Sequence, residues 1–64
     1  MWIEVKKAQS LMLAEMWQEL FEGEGVPTRI QPAPGEPMGR ESASYRILVP
    51  KDKQHVINEV LRKL

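Results

Sequence analysis

The chain has 64 residues, nine basic and nine acidic side chains, one histidine and no cysteine. That is one small domain with no second core, no disulfide, no thiolate metal site and no multi-histidine metal site. A formal net charge of zero argues against a mainly electrostatic grip on nucleic acid or on an anionic membrane.

No apolar run approaches the roughly 20 residues that cross a bilayer, and the N-terminus lacks the pattern of a secretory signal. A soluble, cytoplasmic protein without a membrane association is expected. A domain of this size buries only about 60% of its unfolded surface, so oligomerisation is an open route to extra stability.

In chain order, Trp2 to Lys6 alternates and predicts a strand, with Ile3 and Val5 on one face and Trp2, Glu4 and Lys6 on the other. Ser10 is a candidate N-cap. The segment Ser10 to Gly25 predicts the main helix, ended by Gly23 and Gly25 and closed by Pro27. On a helical wheel Leu13, Leu20, Trp17, Met16, Phe21, Ala14 and Met12 span roughly 200°, twice the stripe of about 100° that one sheet requires. The helix is therefore expected to rest on a sheet and also lean on a second helix.

Val26 to Gln31 alternates again, with Val26, Thr28 and Ile30 on one face. Pro32 to Ala43, rich in proline and glycine, predicts a long loop. Ser44 to Val49 is the clearest strand, with Tyr45, Ile47 and Val49 opposite Arg46 and Leu48. From Lys51 to Leu64 the pattern is an amphipathic helix whose apolar face is Val56, Ile57, Val60, Leu61 and Leu64. Asp52 near its start and Arg62 and Lys63 near its end complement the helix dipole.

The order β-α-β-β-α, with a right-handed crossover between two parallel strands and a third strand inserted antiparallel, predicts an α+β fold. Its sheet has three strands in the order 1-3-2 with both helices on one face. This is a ferredoxin-like plait lacking its last strand. A sheet with a simple β2–β3 hairpin beside β1 is the alternative.

The chain resembles a family of small prokaryotic signal-transducing domains of unknown function. The matching residues are Ser10 and Ala14-Glu15, then Leu20-Phe21-Glu22-Gly23-Glu24-Gly25-Val26, then Ile47-Leu48-Val49-Pro50 and a final helix ending Val60-Leu61. Ala14-Glu15 reverses the order usual in that family. The resemblance implies the β-α-β-β-α fold; for function it offers only the family's label, and it carries over no catalytic or ligand residues.

His55 falls opposite the apolar stripe of the last helix, where a solvated histidine, paired with Glu59 at i,i+4, is expected rather than a general base. Glu15, Glu19 and Glu22 form an acidic stripe down the first helix. One straight helix makes poor calcium geometry, so the stripe reads as a solvated face or a contact for a basic partner, with no metal. Gly35, Met38, Gly39 and Arg40 mark a candidate mobile loop without the spacing of a phosphate-binding loop.

The outward face of the sheet is expected to carry Trp2, Glu4, Lys6, Arg29, Gln31, Arg46 and Leu48. Trp2, Lys6, Arg29, Arg46 and Leu48 form the candidate interaction surface, an exposed Trp and Leu among basic side chains. Three readings compete for it: self- or protein association, including a homodimer through this face or the β1 edge; stacking of single-stranded nucleic acid on Trp2; and a solvated face on which long side chains lie over the tryptophan. The expected function is a small non-catalytic interaction or sensory module acting through a protein partner or self-association. A nucleic-acid-binding module is the alternative, and no cofactor is expected.

Overall fold

The computed structural model describes residues 1–33 and 44–64. Gly35, Met38, Gly39 and Arg40 lie outside the described residues. The elements are β1 (Trp2–Ala8), α1 (Leu11–Gly23), β2 (Arg29–Pro32), β3 (Tyr45–Pro50), a 3-10 turn (Lys51–Lys53) and α2 (Gln54–Arg62). The sheet has the expected order β1-β3-β2, with β3 in the centre and antiparallel to both neighbours. No described helix is long and apolar enough to cross a membrane.

Both helices cover the same face. Ala14 and Phe21 of α1, Ile57 and Val60 of α2, and Tyr45, Ile47 and Val49 of β3 belong to one buried cluster. Strict alternation along β3 sends its odd-numbered residues into this core, and Ile47 and Val49 are fully buried.

Ser10 caps α1 as its sequence position predicts: its backbone is extended and its Oγ accepts from the Leu13 amide at 3.2 Å. At the other end Gly25 takes a φ of +85°. The amides of Gly25 and Val26 donate to the carbonyls of Glu22 and Phe21, a helix-terminating pattern that only glycine enters without strain.

The second strand begins later than its alternation suggests. Val26 is tied to α1, Pro27 has no amide, and the Thr28 hydroxyl donates back to the Val26 carbonyl at 3.0 Å. Gln18 of α1 donates to the Thr28 carbonyl at 3.1 Å. The Val26 amide and the Thr28 carbonyl are thus bonded to the helix, and pairing with β3 starts only at Arg29.

Candidate interaction surface

A β-bulge reorganises the surface that alternation assigns to β1. Glu4 sits opposite Leu48, but the next partner of β3, Ile47, is matched by Lys6, so Val5 and Lys6 together oppose one residue. Beyond the bulge the phase of the strand is reversed. Lys6 joins Ile47 on the helix-facing side, and Lys7, opposite Arg46, takes the outward position. The ammonium of Lys6 lies 4.8 Å from the centre of the Trp17 ring on α1. The expected outward Lys6 is therefore corrected: it belongs to the helix side.

Leu48 does point outward, but it is only 5% exposed. Its neighbours in register are Glu4 on one side and Arg29 on the other. The Arg29 guanidinium stacks on Trp2 at 4.2 Å. Because Trp2 belongs to β1 and Arg29 to β2, that contact passes over β3 and roofs the leucine. Arg46 donates from Nε to Glu4 at 2.7 Å, and Lys7 lies 4.0 Å from the same carboxylate. So the expected exposed Leu48 is a buried one, and Arg29 and Arg46 are each engaged by a neighbouring side chain.

The open apolar surface lies on the helix layer instead. Met12 is 72% exposed, Leu13 43% and Met16 60%, and Leu64 just past α2 is 74% exposed, whereas Leu11, 42% exposed, lies across the helix among the acidic side chains. Leu13, Met16, Trp17, Leu20 and Leu64 line a groove of about 330 Å³. The second helix does not close the wide apolar arc of α1. It spans only nine residues, and its Ile57 and Val60 are buried in the core that the sheet shares with Ala14 and Phe21, leaving Leu64 alone at the groove. The two helices share the core, but α2 leaves the outer part of the α1 arc open.

No family model, curated protein or solved structure matches this chain.

The groove has no polar side chain in its lining, whereas sites for small polar ligands set a few convergent polar groups to orient them. Around it, Glu15, Glu19 and Glu22 are all exposed. His55 is exposed too, and Glu59 pairs with Arg62 rather than with the histidine. Among the described residues no buried side-chain polar atom lacks a hydrogen-bond partner. The width of the apolar arc was the sequence signal for this surface; the length of α2 decides that it stays open.

Proposed function

We propose that this chain is a non-catalytic protein-association module whose contact surface is the exposed apolar face of α1. The observation that carries the reading is the cluster Met12, Leu13 and Met16, left exposed beside a groove that ends at Leu64. A contiguous apolar patch with a polar surround is the usual mark of a protein contact.

The magnitude constrains the partner. The exposed fractions of Met12, Leu13, Met16 and Leu64 amount to about two and a half whole side chains, worth roughly 4–8 kcal/mol on burial. Association costs about 4–15 kcal/mol in lost freedom of motion, so the partner must bring a comparable apolar surface of its own. The outward sheet face offers less to a nucleic acid: Arg46 is held by Glu4, Arg29 covers Trp2, and Lys6 lies on the other side.

A photo-crosslinking amino acid placed at Met16, and separately at Lys7, tests the reading in cells that express the protein. Protein adducts are expected from position 16 and not from position 7. Equal yields at both positions, or none at 16, would rule it out.

A further inference from the structure

The two helical segments carry opposite charge. Residues 11–25 hold Glu15, Glu19, Glu22 and Glu24 with no basic side chain, while residues 51–64 hold Lys51, Lys53, Arg62 and Lys63 against Asp52 and Glu59. Among the described residues no ion pair joins the two; the pair on α2 is internal, Glu59 with Arg62. The apolar groove runs between these segments, lined by α1 on one side and by Leu64 on the other. The helix layer is thus an apolar trough with an acidic and a basic flank.

We propose that the trough is closed by a second copy of this chain, so that α1 of each copy lies over α2 of the other; this rests on the association reading above. Such a contact is isologous, and its two-fold axis lies in the contact plane. An axis along the trough superposes the apolar stripes and sets the acidic flank of each copy against the basic flank of the other, twice. An axis across it sets acid on acid, so charge selects one arrangement. The chain is neutral overall, and two copies approach without net repulsion.

Size agrees. The molecule's longer extents, 30 and 24 Å, bound a face that matches the roughly 800 Å² per partner of a standard interface. A second copy also supplies the matching apolar surface that the energetics require, since its own Met12, Leu13, Met16 and Leu64 are equally exposed.

Self-association by edge pairing of the sheet is shielded. β1 is an edge strand, but it carries a bulge and the adjacent lysines Lys6 and Lys7. β2, the other edge, has four residues and ends in Pro32. Bulges, lysines, prolines and short length are the devices that block edge pairing.

Sedimentation equilibrium tests the proposal with charge-swapped variants. The wild type is expected to dimerise, and Met16→Asp to weaken the dimer by about 30-fold or more, as at an interface hot spot. Glu15→Lys/Glu19→Lys and Arg62→Glu/Lys63→Glu should each be monomeric, because each sets like charges against one another at both flanks. Mixed together, they should form a heterodimer with both flanks complementary. Adding Met16→Asp to one of them should abolish it, which separates docking from attraction between oppositely charged proteins.

Circular dichroism melts establish that each variant is folded. A wild type that stays monomeric to about 1 mM, a dimer indifferent to Met16→Asp, or a mixture that fails to associate would each overturn the inference. A monomer would leave the association reading to the cross-linking experiment, which detects any protein at position 16.

Discussion

Replacing Lys6 and Lys7 one at a time by alanine measures the bulge in β1 directly. The two residues are neighbours of the same type, and a regular strand beginning at Trp2 would turn Lys6 outward and Lys7 toward the helices. The bulge reverses this. Lys6 is half-buried with its ammonium 4.8 Å from the Trp17 ring centre, while the Lys7 side chain is 72% exposed and 4.0 Å from Glu4. Lys6→Ala removes a cation–π contact worth about 0.5–1 kcal/mol at such a site, together with some apolar packing of the stem at about 0.8 kcal/mol per buried methylene. A loss of about 1–2 kcal/mol follows. For a domain of this length each kcal/mol lowers the midpoint of thermal unfolding by about 4–8 °C. Lys7→Ala gives up one loose exposed ion pair and should stay within about 0.5 kcal/mol of wild type. Urea unfolding read by circular dichroism compares the two, and a shift in tryptophan emission should accompany only Lys6→Ala. Equal losses, or a larger loss at Lys7, would refute the reversed phase.

Burial makes a second pair of variants unequal. Leu48→Ala, at a site 5% exposed, should cost about 2–5 kcal/mol although it lies on the face away from the helices; Met16→Ala, at a site 60% exposed, should cost less than about 1 kcal/mol. Equal midpoints in chemical denaturation would contradict the roof over Leu48. The two glycines at the end of α1 should respond in opposite directions, because an added Cβ meets nothing within 4 Å at either and only Gly25 has a positive φ. Gly25→Ala should therefore lose about 1–2 kcal/mol to backbone strain, and Gly23→Ala should gain about 0.4–1 kcal/mol, both read from thermal melts. Ser10→Ala removes the acceptor for the Leu13 amide and should cost about 1 kcal/mol, with Ser10→Asp retaining most of it.

Element order was legible because it rests on local signals, the Ser10 cap, the glycine stop before Pro27 and the alternation of Tyr45, Ile47 and Val49, and the sheet order followed from the crossover a β-α-β unit requires. The bulge was not legible, because a period of two cannot show where an extra residue enters a strand. A pair of adjacent lysines followed by Ala8, which is buried, was its only trace. The burial of Leu48 was hidden for a different reason: it depends on Trp2 and Arg29 reaching toward each other from non-adjacent strands. The open face of α1 was half legible. Its width could be counted on a wheel, but what covers it depends on how much apolar surface α2 has left after meeting the sheet.

The central position of β3 has a consequence for synthesis. Both edge strands and α1 precede it in the chain, and neither edge strand is hydrogen-bonded to the other. A ribosome that has completed Pro32 has made two strands without a ladder to join and a helix without a sheet to rest on. The sheet closes only when residues 45–50 emerge, so β1 waits for a partner more than half the chain away. A nascent chain arrested before Tyr45 should be as sensitive to protease as an unfolded peptide, whereas one extended past Pro50 already contains every strand of the fold.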